Sequence, residues 1–302
     1  MFAVRNNPPP GFIMNLCPTG MLLTRQQSLH VPLTPAEIVA DVDRCVDLGV
    51  NLVHIHARDD QGNPHYARGI YARIINGIRD LHPDLTLCVS LSGRNYQDFT
   101  RRTDCLMLSG DLRPDMGSLT LSSLNFNRQA SINAPDDVRR LAEMMAEKGI
   151  KPELEVFDLG MLNYAKHLID KGILSPPYYF NILLGNIAGA QTSPAQLTAL
   201  INELPADSIW CVAGIGQQQL KANMLGLMFG DGVRVGLEDN PWYDQKRQTL
   251  AQNIQLVERV RRTAEMLELF PATPSAVRKR LGITPLSAIS TVTKTPLAQP
   301  IA

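Results

Sequence analysis

Two histidines one residue apart, His54 and His56, lie in the segment Asn51-Leu52-Val53-His54-Ile55-His56-Ala57-Arg58-Asp59. In a β-strand, side chains i and i+2 point to the same face. Both imidazoles therefore project together from an otherwise apolar run. Such a pair is half a metal site, which a carboxylate from elsewhere in the chain can complete. The same pattern also fits two satisfied core histidines near a strand end.

A second chemical cluster is Arg234-Val235-Gly236-Leu237-Glu238-Asp239-Asn240. Glu238 joined to His54 and His56 makes a His, His, Glu set, a common open catalytic zinc site with positions left for water or substrate. Taken alone, Glu238 and Asp239 read as a helix-capping acidic pair. Ser90 and Ser118 offer hydroxyls for a carboxylate or carbonyl, although single loop serines more often bond their own backbone. Gly214-Ile215-Gly216 precedes a helical stretch and suits a phosphate held by backbone N–H groups, or a tight turn. Arg58 and Asp59 are spaced for a local ion pair. Glu155 ends an apolar strand, where it either reaches the site or serves as a buried hydrogen-bond partner.

These residues are distant in sequence, so the fold must gather them. Eight β-rich runs alternate with helical segments: 12–17, 52–57, 85–90, 117–121, 153–157, 179–183, 209–213 and 233–237. Thr34-Pro35-Ala36-Glu37 combines an N-cap, a proline at N1 and a capping-box glutamate, and Gly49 ends that helix. Asn133 and Asp136 open a helix that closes at Gly149, and Ser193-Pro194 opens another. Apolar spacing predicts a helix over 246–269, and Thr273-Pro274 starts a short extra one ending near Gly282. Strand and helix in eightfold alternation predict an α/β (β/α)8 barrel over residues 1–282 with a short C-terminal helical extension. A doubly wound sheet is the rival, but the dinucleotide fingerprint is missing after the first strand, where Pro18-Thr19-Gly20 follows. In a barrel, strand ends two and eight share one mouth, so His54, His56 and Glu238 can meet. Residues 283–302, rich in Thr, Ser, Pro and Ala, read as a loose tail.

Composition removes several function classes. The chain has 302 residues, is 44% hydrophobic and carries no formal net charge. No polybasic run supports nucleic-acid or anionic-membrane binding. No apolar run approaches the roughly 20 residues of a membrane span, and the N-terminus lacks a signal-peptide core. The five cysteines form no C-x-x-C pair and read as reduced thiols in a cytoplasmic protein.

Five ordered segments resemble the β-keto acid cleavage enzyme family, of which the 3-keto-5-aminohexanoate cleavage enzyme is a member. They are Val53-His54-Ile55-His56-Ala57-Arg58-Asp59-Asp60-Gln61-Gly62-Asn63-Pro64, Ser118-Leu119 through Leu124-Asn125-Phe126, and Lys151-Pro152-Glu153-Leu154-Glu155-Val156-Phe157-Asp158-Leu159-Gly160. Trp210-Cys211-Val212-Ala213-Gly214-Ile215-Gly216 and Val233-Arg234-Val235-Gly236-Leu237-Glu238-Asp239-Asn240 complete the set. The resemblance implies zinc bound by His54, His56 and Glu238, with Arg234 and Asp239 catalytic and Ser90 and Ser118 holding substrate. It implies a homo-oligomer, often a tetramer. The implied reaction converts a β-keto acid and acetyl-CoA into acetoacetate and a new acyl-CoA, with coenzyme A near Gly214 and Gly216.

The chain departs from the family pattern at the substrate. The acidic residue that takes the amino group in the named member aligns with Leu22. The acyl end of the substrate is therefore expected not to be an amine, and to be uncharged or apolar. The usual Ser-Thr-Gly-Gly is Ser90-Leu91-Ser92-Gly93, the usual Gly-Val-Pro-Gly-Gly is Gly185-Asn186-Ile187-Ala188-Gly189, and the arginine after the Gly-x-Gly is Gln217. Two further readings share the metal site: a keto-acid aldolase or lyase that uses no coenzyme A, and a non-catalytic barrel binding protein. An amidohydrolase-type site needs more histidines from later strands, and the last histidine is His167.

Overall fold

The computed structural model describes residues 11–283. Eight parallel strands close into a barrel. In chain order they are β1 (Ile13–Leu16), β2 (Leu52–Ile55), β3 (Thr86–Val89), β4 (Met116–Thr120), β5 (Lys151–Val156), β6 (Tyr178–Leu184), β7 (Ser208–Gly214) and β8 (Gly232–Val235). Closure is made by β1, where Leu16 pairs with Val235 on one side and Val53 on the other. The (β/α)8 architecture expected from the alternation is the architecture found. The expected tail lies outside the described residues, except for Ile283.

Strand alternation divides the apolar residues into two clusters. Outward-facing Met14, Val53, Leu87, Leu119, Leu154, Phe180, Val212 and Val233 pack beneath the helices in one large core. Inward-facing Ile13, Leu52, Cys88, Met116, Tyr179, Ile209 and Cys211 fill one end of the barrel interior. That end is closed by the last helix, α9 (Pro274–Arg280), whose Val277 packs there with Ala272, Leu281 and Ile283. Arg278 of α9 donates to Asp115 at 2.9 Å, and Arg280 pairs with Asp231; both aspartates immediately precede a barrel strand. The short extension predicted after Thr273 is thus the barrel's plug.

The caps expected at Thr34, Ser193 and Thr273 are found, but the helix expected to open on Asn133 and Asp136 starts after Ala134 without a side-chain cap, because Asn133 Oδ1 accepts from Arg102 instead; two further differences stand out. The first, α1 (Pro35–Val46), opens with the Thr34–Glu37 capping box, and Arg25 holds Glu37 through both carboxylate oxygens at 2.7 Å. That clamp fixes the long loop after β1. The eighth helix, α8 (Asn253–Met266), starts seven residues later than apolar spacing suggests. Asp244 instead accepts backbone N–H bonds from Lys246, Gln248 and Thr249, holding a turn. Asn253 then accepts from Leu237 N–H and donates to Asp41 and the Pro18 carbonyl, which sets the helix start. The second difference is an unexpected hairpin, Leu124–Asn125 paired with Ala130–Ser131, beyond β4.

Candidate active site and metal centre

Above the apolar plug the barrel interior turns polar. Asn15, His54, Glu153, Asn181 and Arg234 are all buried there. They face inward by the same alternation that sends their neighbours to the outer core. Glu153 is the hub: it accepts from Asn15 at 2.8 Å and Asn181 at 2.5 Å, takes the Cys88 thiol at 3.3 Å, and meets His54 Nδ1 at 2.5 Å.

The bond to Glu153 occupies His54 Nδ1 and leaves Nε2 facing outward along the barrel. His54 Nε2 lies 3.3 Å from His56 Nε2, which lies 3.1 Å from Glu238 Oε1. These ligand atoms converge within 4.8 Å of one another. Two tetrahedral zinc ligands at about 2.0–2.1 Å from a shared ion stand about 3.3 Å apart, so the three atoms fit one ion. Glu238 Oε2 is buried without a hydrogen-bond partner, leaving coordination capacity unused by the protein. Gly20 makes room for this carboxylate: its φ is +66°, and a Cβ there would lie 2.7 Å from Glu238 Cγ. Arg58 fixes that turn by donating to the Gly20 carbonyl, at 2.7 Å and 3.0 Å. It forms no ion pair with Asp59, which caps its own turn through Gln61 and Asn63.

Arg234 organises the acids. It donates to Asp239 at 3.0 Å, Glu238 at 2.7 Å and Glu155 at 3.2 Å. Thr120 donates to Glu155 at 2.6 Å, so Glu155 is both a buried partner and a residue of the cavity wall. Burial opposes ionisation of Glu238, but His56 and Arg234 outweigh it and hold the carboxyl well below the usual range. Glu155 goes the other way: burial outweighs Arg234 and raises it. At His54 burial opposes the charge and the Glu153 carboxylate overcomes it, for a net rise. At His56 burial prevails over Glu238 and the imidazole is pushed down, toward its neutral, ligating form. Three carboxylates thus crowd one guanidinium, and buried excess negative charge is costly without a cation.

The mouth above these groups is a cavity of about 420 Å³. Its lining includes His54, His56, Ser90, Arg234, Glu238 and Asp239, together with Leu22, which is 52% exposed. Ser118 is buried in β4, outside the cavity lining, and its hydroxyl oxygen accepts from Leu91 N–H at 3.0 Å. Gly214 and Gly216 also stay off the lining, where Ile215 between them is present. A Cβ on Gly214 would meet Gln218 backbone at 2.5 Å, and Gly216 N–H donates to the Asp239 carbonyl at 2.7 Å. The turn therefore braces the acid. Gln217 exchanges amide bonds with Gln245, away from the site.

Two residues of this site, Glu153 and Arg94, are absent from the sequence-based set. Glu153 stands two before Glu155 on the same strand, the very signal that singled out the histidines. Arg94, beyond β3, lines the cavity with its Cζ 3.5 Å over the Phe126 ring centroid. Phe126 belongs to the unexpected hairpin segment, which no apolar periodicity announced.

The β-keto acid cleavage enzyme family model matches residues 12–283. The 3-keto-5-aminohexanoate cleavage enzyme of Acetoanaerobium sticklandii is 31% identical over 265 residues, covering 87% of this chain and 95% of the relative. The 3-oxoadipate:acetyl-CoA acetyltransferase of Cupriavidus necator is 34% identical over 276 residues, covering 90% and 94%. Among solved structures, a ternary complex of ObcA with a C4-CoA adduct and oxalate superposes with a TM-score of 0.74 at 21% identity, covering 84% of this chain and 68% of that one, a likeness of fold. The matched span runs from the strand that opens the barrel to the helix that plugs it and takes in the whole polar interior, so this chain belongs to the β-keto acid cleavage enzyme family.

Proposed function

We propose that this chain is a zinc-dependent enzyme that condenses a β-keto acid with acetyl-CoA to give acetoacetate and a new acyl-CoA. The observation that supports it best is the meeting of His54 Nε2, His56 Nε2 and Glu238 Oε1 beside an aspartate held by Arg234. Zinc bound there supplies Lewis-acid polarisation of the β-keto oxygens.

The chain's own residues do the rest. Asp239, buried and gripped by Arg234, is the general base that takes the proton between the two carbonyls of the substrate. The carbanion so formed attacks the thioester carbon of acetyl-CoA and expels coenzyme A thiolate; the thiolate adds to the substrate's keto carbon, the bond from that carbon to the central carbon breaks, and acetoacetate leaves after taking back the proton from Asp239 while the rest departs as the new acyl-CoA. Arg234 keeps Asp239 aimed into the cavity and offsets the charge of Glu155 and Glu238. Ser90, on the wall, holds the substrate's oxygens, and Ser118, behind it, braces the backbone after Ser90 by accepting from Leu91 N–H. The Gly214–Gly216 turn shapes the rim where coenzyme A enters, through Ile215. Leu22 offers no charge to an amine.

We further propose a cytoplasmic homotetramer. Met228, Phe229, Met266 and Phe270 stand exposed and provide apolar surface for assembly. No helix among the described residues is long and apolar enough to cross a membrane.

Replacing His56 by alanine tests the metal assignment. The variant should fold, retain its circular dichroism and contain no stoichiometric zinc by elemental analysis. One zinc per chain with undiminished turnover would show that the ligands are misassigned.

A further inference from the structure

The cavity has a charge that the proposed reaction does not use. Its acidic lining residues, Glu155, Glu238 and Asp239, all cluster around Arg234. Arg94 lines the same cavity, yet its side chain forms no hydrogen bond or ion pair among the described residues. Its Nε is buried without a partner, and the guanidinium is held flat against Phe126. A half-buried guanidinium without an anion is an expensive feature to maintain. Stacking removes its rotamer freedom and leaves the edge of the fork as the part able to bond. That geometry suits a carboxylate taken in bidentate fashion.

Resting on the function proposed above, we infer that Arg94 selects β-keto acids whose acyl chain ends in a carboxylate. The carboxylate common to all β-keto acids is provided for at the floor, by the metal site and Ser90. Arg94 is separate from that floor, since no carboxylate of the floor comes within ion-pairing distance of it. Leu22, Leu124, Phe126 and Ile187 line the same cavity and are apolar enough to pass methylenes, and its acids, Glu155, Glu238 and Asp239, act on Arg94 only through space while bonded to Arg234. The uncharged acyl end expected from Leu22 alone therefore gives way to an anionic one.

The test compares 3-oxoadipate with 3-oxohexanoate, which carries a methyl in place of the terminal carboxylate. Wild type, Arg94→Met and Arg94→Lys are assayed with acetyl-CoA. Wild type should favour the dicarboxylate in kcat/KM, and Arg94→Met should cut that preference about 100-fold, chiefly through KM, as for loss of one buried charge pair. Arg94→Lys should recover part of it, because the charge stays and the fork is lost. A preference that survives Arg94→Met overturns the inference. Equal losses on both acids would place Arg94 on the common carboxylate, and a rise confined to the KM of acetyl-CoA would place it on coenzyme A phosphate; either overturns it. If wild type turns over neither acid, the proposed function falls. Calorimetric binding of the two acids then decides Arg94 alone: equal affinities in wild type and variant reject it.

Discussion

Glu153 Oε2 lies 2.5 Å from His54 Nδ1, with both side chains buried inside the barrel. The carboxylate fixes the imidazole tautomer, so that Nε2 is the free nitrogen and points at His56 and Glu238. Its remaining bonds, from Asn15, Asn181 and Cys88, come from three other strands and hold it against rotation. The candidate metal centre is thus anchored across the barrel interior, and not only by His54, His56 and Glu238 themselves.

Glu153→Gln should therefore weaken zinc binding by about 10–100-fold, the usual cost of removing a partner of a ligating histidine. Competition with a fluorescent chelator measures this directly, independently of turnover. Unchanged affinity would reduce Glu153 to a packing residue.

Asp239→Asn keeps the volume and removes the base. It should retain one zinc per chain and lose about 10²–10⁴ in kcat. Wild-type kcat in this variant, measured by acetoacetate release, would move the base elsewhere, Glu155 being the other acid on Arg234 outside the proposed metal ligands.

At the opposite end of the barrel, Asp115 accepts from Leu87 N–H, pairs with Arg79 at 3.3 Å and receives Arg278 from the plug helix. Asp115→Ala leaves buried guanidinium groups uncompensated and should cost about 3–5 kcal/mol of stability. Urea unfolding measures it, and a loss below 1 kcal/mol would mean that the plug is held by apolar packing and the Arg280–Asp231 pair without help from Asp115.

All five cysteines are buried. Burial pushes the Cys105 thiol up to about 12, and it raises those of Cys17 and Cys88 well above their ordinary value. Thiolate is the reactive form. The native protein should react with a thiol reagent only after unfolding, releasing all five equivalents in denaturant. A rapid equivalent from the folded protein would contradict the burial of these side chains.

The barrel was legible because each strand announced itself by a β-rich apolar run and several helices by caps such as Thr34, Ser193 and Thr273. The proposed metal ligands were legible because His54 and His56 share the parity of β2 and Glu238 follows the end of β8, which pairs with β1. What escaped has physical causes. Glu153 contributes through partners on β1, β2, β3 and β6, contacts that only closure of the barrel creates. Arg94 acquires meaning from Phe126, which sits next to a hairpin of two-residue strands too short for any periodicity. The start of α8 was decided by Asn253 bonding across the fold to Asp41 and Pro18, not by its own helical pattern.

The most direct measurement of the central claim is a product assay on metal-quantified protein supplied with acetyl-CoA and a panel of β-keto acids, followed by mass spectrometry. The account predicts acetoacetate and a new acyl-CoA in equal amounts, in proportion to zinc content and abolished by chelation. Zinc-loaded protein that releases no acyl-CoA from any β-keto acid would contradict it.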